Sequence, residues 1–442
     1  MTTSIPGVDA THALTLVSWV ISARAHRQFP IQNLPMGVFD VGRGARIGVA
    51  IGDEVLDLPA ALDAGLLASL HATTQQALRG TTLNAWMALP AAERRALRTA
   101  LSQLLRADTP EGQAAQTRAE ALLHAQSACT MLLPAEVGDF SDFYAGIHHA
   151  TNAGRIFRPD TPLLPNYKHV PIAYHGRSST IRPSGTLLKR PRGQLRRDTP
   201  QGPMPELAPS ERLDYELEMA IWVGGGNALG ESIPVERAAE HIAGFGLLND
   251  WSARDIQAWE YQPLGPFVAK NFLSTVSTWV VTQEALAPFR APSMARGEGD
   301  PAPLPYLVDA HDQQHGGLDV TLEVLISTAK MRAEGLPPAR LSIGSSRYLW
   351  WTPAQMLTQQ TVGGCTARAG DLLGTGTISA PTPEGFGALL ELTAGGKHVL
   401  QLPSGEQRTF LLDGDEIIYR ATCEREGFAP LGFGECRGLV QG

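Results

Sequence analysis

The segment Leu213-Asp-Tyr-Glu-Leu-Glu-Met-Ala-Ile-Trp-Val223 carries the pattern most suggestive of chemistry. Read as a strand, its side chains alternate. Asp214, Glu216 and Glu218 then share one face, and Tyr215, Leu217, Met219, Ile221 and Val223 the other. Carboxylates roughly 7 Å apart along a strand repel, and a partly buried row needs a cation or protons to neutralise it. Oxygen-only ligands of this kind suit Ca²⁺ or Mg²⁺. A solvent-facing polar edge is the competing reading. Asp142-Phe-Tyr144 places two polar residues around an apolar one, a few residues before His148-His149. Adjacent histidines point in different directions, so at most one of them belongs in a site. Histidine suits general-base work near neutral pH, although an isolated one is commonly structural. In Asn249-Asp-Trp-Ser-Ala-Arg-Asp-Ile-Gln-Ala-Trp-Glu-Tyr261, Asp250 is placed to cap a short helix. Arg254, Gln257 and Tyr261 follow at i, i+3 and i+7 on one face, a grouping suited to an anionic ligand or a developing oxyanion. Lys270 lies in a segment apolar enough to be buried, where it needs a partner.

These residues must be held by short strands and turns. Of 442 residues, 45 are glycine and 32 proline, an excess that favours turns over long helices. Arg46 to Leu58 alternates around Gly52-Asp53 and predicts a hairpin with glycine at the first turn position. Leu62 to Ser127 is rich in Ala, Leu, Gln and Arg and reads as helical. Within it, Pro90 suits a first turn and Leu97, Leu101, Leu104 and Leu105 mark one helical face. The pattern changes near Leu133-Pro134, giving two units, 1–133 and 134–442. The apolar stretch Ala13 to Ile21 reads as a strand rather than a signal peptide. The proline-rich run 287–305 reads as an exposed loop without chemistry.

Other classes lose support. With 36 basic and 44 acidic residues and no Lys/Arg-rich run, nucleic acid is not an expected partner. No transmembrane segment is expected, and four widely spaced cysteines suggest neither a zinc site nor a disulfide framework, as fits a reducing cytoplasm. Gly374-Thr-Gly376 does not continue into a dinucleotide-binding pattern, and Gly176-Arg-Ser-Ser-Thr180 lacks the second glycine of a nucleophile elbow.

Taken together, Asp142-Phe-Tyr-Ala-Gly-Ile-His-His-Ala-Thr-Asn152, Tyr174-His-Gly-Arg177, Asp250 to Gln257, Tyr261-Gln-Pro-Leu-Gly-Pro-Phe267, Gly376-Thr-Ile-Ser379 and Leu411 to Glu416 resemble the fumarylacetoacetase family, in the same order. Phe29 to Pro35 and Arg46 to Gly52 resemble its N-terminal part. The resemblance implies a mainly β, α+β protein: a small SH3-like β-barrel domain followed by a large mixed β-sandwich roll. It also implies hydrolysis of a carbon–carbon bond in 4-fumarylacetoacetate, the last step of tyrosine and phenylalanine breakdown, by a cytoplasmic homodimer acting on a small diketo acid. Carried over by position, Asp142, Glu216, Glu218 and Asp250 match metal ligands, for Ca²⁺ or Mg²⁺ with Mn²⁺ also acceptable. Asp214 matches no ligand. His149, not His148, matches the base, Glu391 the carboxylate that orients it, and Arg254 and Lys270 the charges near the reacting carbonyl. Tyr144, Arg158, Gln257, Tyr261 and Thr377 match substrate contacts. A second cation would lie near Asp250, Lys270 and Ser274, where serine replaces the family's threonine. An acylpyruvate hydrolase or dicarbonyl-acid decarboxylase of the same superfamily is the nearer alternative, and a non-catalytic binding protein the more distant one.

Overall fold

Alternation of small and β-branched residues around a tight turn builds the first element of the computed structural model, which describes residues 5–442. Strands Arg46–Ile51 and Glu54–Asp57 pair antiparallel with Ile51 opposite Glu54, leaving Gly52-Asp53 as the two-residue turn. Gly52 has φ +58°, a conformation that glycine adopts without a Cβ penalty, so the hairpin lies where the alternation put it. Strand Met36–Asp40 pairs with Arg46–Ile51 on one side and, through Met36–Val280 and Gly37–Trp279, with Trp279–Thr282 on the other. The N-terminal strands thereby join a 13-stranded mixed sheet whose central members are Ile242–Asp250, Leu217–Val223, Leu372–Gly374 and Phe140–Phe143. A five-stranded sheet that includes Thr321–Ser327, Glu416–Cys423 and Leu431–Gln441 packs in the same core. The class is sheet-rich α+β, as the sequence implied.

Helix Ala91–Leu105 buries Leu97, Leu101, Leu104 and Leu105, the four residues whose spacing predicted its inner face. They pack in a core shared with Ala220, Trp222, Leu248, Val276 and Val280 of the central strands.

Three local expectations change. Ala13 to Ile21 is not a strand. Ser18 makes one isolated bridge to Arg106, the Trp19 indole donates to Leu104 O at 2.9 Å, and a short 3₁₀ turn begins at Ile21. Nine apolar-leaning residues cannot by themselves separate a strand from turns packed on a helix end. The run 287–305 is not wholly exposed: Ala287–Phe289 is a buried 3₁₀ turn, and Arg290–Ala291 pairs with Gly317–Leu318. Farther along, the Arg296 guanidinium lies 4.4 Å from the Trp350 ring and 4.8 Å from the Trp351 ring. Asp250 does not cap a helix. It ends strand Ile242–Asp250, and the cap position of helix Arg254–Glu260 is Ala253, with no side-chain bond.

Candidate active site

Asp142, Glu216, Glu218 and Asp250 converge where central strands meet, each offering a carboxylate oxygen within 4.8 Å of the others, all buried. Parallel pairing puts Asp142 opposite Gly374, and Glu218 faces Leu248 on the antiparallel side. Asp250 is opposite Ser274, whose hydroxyl donates to Asp250 Oδ1 at 2.8 Å. Glu216 stands in the break between strands Leu213–Asp214 and Leu217–Val223, its amide donating to Asn249 Oδ1 at 3.1 Å. That break corrects the single continuous face. Glu216 and Glu218 turn into the cluster, whereas Asp214 turns towards Arg254 and the amides of Leu389 and Leu390. Complete burial of Glu218 rules out a solvated polar edge.

Charge in this cluster is unevenly compensated. Lys270 bonds Glu216 and, at 2.8 Å, Asp250, while Arg254 contacts Glu216 at 2.7 Å and Asp214 at 2.9 Å. Burial would raise the Glu216 carboxyl, but Lys270 and Arg254 outweigh it and hold the group well below the usual range. Asp142 and Glu218 go the other way: burial first, then neighbouring carboxylates, push both well above it. Lys270 is held above its ordinary value by Asp250 and Glu216 despite burial.

The donor set fits a hard divalent cation. Glu218 Oε1 is buried without a hydrogen-bond partner among the described residues. Space is kept open at Gly374, where a Cβ would fall 2.5 Å from Asp142 Oδ1 and 2.8 Å from Glu218 Oε2.

A cavity of about 370 Å³ opens beside the cluster. Asp142 and Glu216 reach its wall together with Tyr144, His149, Arg158, Arg254, Gln257, Tyr261, Lys270 and Thr377. Glu218, Asp250 and Ser274 lie behind that wall. Arg254 and Gln257 share a helical face, and Tyr261 follows at the helix end. His149, on helix Ile147–Phe157, donates from Nδ1 to Glu391 Oε2 at 2.7 Å, so Nε2 is the nitrogen left to accept a proton. Glu391 also accepts from Ser379 Oγ at 2.7 Å and Asn152 Nδ2 at 2.9 Å. Burial would raise its carboxyl, yet His149 and these bonds hold it below the ordinary value. His148 points elsewhere, edge-on to Tyr348 at 5.3 Å. Arg254 Nη2, Arg158 Nε and Thr377 Oγ1 are buried without hydrogen-bond partners among the described residues, which leaves their capacity for a ligand.

Sequence reasoning assigned no site role to Tyr174, Asn152 or Ser379. The Tyr174 hydroxyl donates to Asp250 Oδ2 at 2.6 Å from the cavity wall. All three stand inside segments that carried the family resemblance, so motif membership was the available signal; no periodicity marks them.

The chain is similar to known proteins along nearly its whole length. The Fumarylacetoacetase N-terminal family matches residues 32–134, and the Fumarylacetoacetate (FAA) hydrolase C-terminal family matches residues 140–441. Fumarylacetoacetase of Rattus norvegicus is 45% identical over 418 residues, covering 93% of this chain and 96% of the relative. That of Homo sapiens is 45% identical over 419 residues with the same coverage. That of Caenorhabditis elegans is 46% identical over 429 residues, covering 95% and 98%. With both family regions matched and the identity spread along nearly the whole of each relative, the chain belongs to the fumarylacetoacetase family.

Proposed function

We propose that this chain hydrolyses the carbon–carbon bond of 4-fumarylacetoacetate to fumarate and acetoacetate. The observation that carries the reading is that His149, bonded to Glu391, lines the same cavity as Asp142 and Glu216 of the four-carboxylate cluster. His149 Nε2 takes a proton from water, and Glu391 stabilises the imidazolium that results. The hydroxide attacks the carbonyl carbon next to the fumaryl part. Arg254, Gln257 and Lys270 offset charge on the oxyanion, and Arg254 Nη2 has a donor to spare. Arg158, Tyr144, Tyr261 and Thr377 hold the substrate ends. Collapse breaks the carbon–carbon bond, and the imidazolium returns its proton to the acetoacetate carbanion.

Asp142, Glu216, Glu218 and Asp250 would hold a divalent cation, whose chemistry when bound is Lewis-acid stabilisation of charge on the diketone oxygens. We assign it as Ca²⁺ or Mg²⁺, because every ligand is a carboxylate oxygen. Lys270 and Ser274, both in contact with Asp250, would stand beside a second cation held there. Units 1–133 and 134–442, a homodimer, a cytoplasmic location and a place in tyrosine breakdown follow from family membership as parts of the same proposal.

The test is loss of the diketone absorbance when purified protein meets fumarylacetoacetate, with fumarylpyruvate in parallel. Faster turnover of fumarylpyruvate would transfer the assignment to the acylpyruvate hydrolases.

A further inference from the structure

Asp214 has no place in the cation cluster, yet it is fully buried and accepts four hydrogen bonds. One comes from the neighbouring Tyr215 amide. The other three link distant parts of the site. Asp214 Oδ2 accepts from Arg254 Nε at 2.9 Å and from the Leu390 amide at 2.9 Å, while Oδ1 accepts from the Leu389 amide at 2.8 Å. Leu389 and Leu390 open the four-residue helix Leu389–Leu392, which carries Glu391. Its cap residue, Ala388, provides no side-chain bond, so Asp214 satisfies its first amides from across the core.

A buried carboxylate among these groups is weak evidence for stability, because apolar replacements of buried ion pairs are often as stable. Geometry is what it supplies. Arg254, at the start of its helix, and the first amides of the helix that carries Glu391 are bonded to one rigid three-atom group, Arg254 Nε and the Leu390 amide to the same oxygen. The helix is only four residues long, Asp214 is the side chain that meets its first amides, and Glu391 on it sets the orientation of His149. Resting on the functional reading above, we propose that Asp214 is a positioning residue. It couples the guanidinium of Arg254 to the Glu391–His149 pair, so that oxyanion donor and base keep a fixed separation.

Asp214→Asn is the direct test. It preserves shape but removes the charge facing Arg254 and presents an NH₂ to at least one N–H donor. The expected result is a kcat lower by roughly 10²-fold, the scale of a 1 Å misplacement, with KM and stoichiometric divalent-cation binding retained. A double-mutant cycle with His149→Ala separates positioning from general weakening. Positioning predicts that D214N costs H149A a clearly smaller fraction of its turnover than it costs wild type, the remaining loss acting through Arg254. An equal fractional loss in both backgrounds overturns it, as does wild-type kcat in D214N alone. Should D214N fail to fold, Asp214→Ser, which leaves room for a water, takes its place. Failure of both to give folded, cation-binding protein assigns Asp214 to the core only and also overturns the proposal. Wild-type protein inert towards fumarylacetoacetate overturns the functional reading and the positioning role with it, whereas active wild type with an unimpaired D214N overturns the positioning role alone.

Discussion

His149 Nδ1 and Glu391 Oε2 stand 2.7 Å apart although 242 positions of chain separate the two residues. The bond fixes the imidazole tautomer, and the Ser379 and Asn152 bonds fix the carboxylate behind it. Removing the base by His149→Ala should therefore lower kcat by about 10²–10⁴-fold, the usual worth of general-base help, with cation content and melting temperature close to wild type. Steady-state kinetics with metal analysis of the same preparation checks it. Near-wild-type turnover would end the assignment of His149 as base.

Glu218→Ala should weaken divalent-cation affinity and lower the melting temperature measured with cation present. It removes a carboxylate whose Oε1 has no hydrogen-bond partner among the described residues, and the stabilisation that cation binding would confer on the native state shrinks with it. Calorimetric titration with Ca²⁺ and with Mg²⁺ reads the affinity, and unchanged binding of both ions would remove Glu218 from the ligand set.

Stability should respond to pH in opposite senses with and without cation. Asp142 and Glu218 have raised carboxyl pKa values, through burial and then like charge. In the cation-free protein their contribution is complete below the ordinary carboxyl range and is lost as pH rises through the raised values. A cation needs both groups ionised, so its affinity climbs over that same interval. The gap in melting temperature between cation-loaded and chelator-treated protein should widen as pH rises from acid towards neutral. A gap independent of pH would contradict proton displacement from these two carboxyls.

Gly374→Ala should damage cation binding without replacing any of the four carboxylates proposed to hold the ion. The new methyl would overlap Asp142 Oδ1 and Glu218 Oε2, and both carboxylates are held by strand pairing. A loss of about 10–100-fold in affinity, the scale seen when groups supporting metal ligands are altered, is the expected outcome. Wild-type affinity would mean that the strands shift freely.

Local features were readable from the chain alone. Gly52-Asp53 fixes its hairpin because the turn chemistry and the alternation agree, and Leu97 to Leu105 mark their helix face by spacing. The carboxylate pair Glu216 and Glu218 could be singled out, as could the shared face of Arg254 and Gln257. Neighbours brought together by the sheet could not. Asp142 meets Glu218 only through parallel pairing with Leu372–Gly374, an arrangement that leaves no short-range trace, and resemblance to relatives placed it instead. Tyr174 and Ser379 were missed as site residues because their importance lies in a partner, Asp250 or Glu391, that only folding supplies. Asp214 shows the converse. Alternation put it on one face with Glu216 and Glu218, but the strand break at Tyr215-Glu216 turns it out of their cluster, towards the Leu389 and Leu390 amides.

The ladder between Met36–Asp40 and Trp279–Thr282 bears on how the chain can be divided. Cut near residue 134 and expressed separately, the longer piece would expose the amide and carbonyl groups of Trp279 and Val280 along an unprotected strand edge, beside apolar residues from the shared core. Such an edge recruits other strands, including those of its own copies. A catalytic fragment made without its N-terminal strands should thus precipitate or self-associate, even though every carboxylate of the cation cluster would still be present in it.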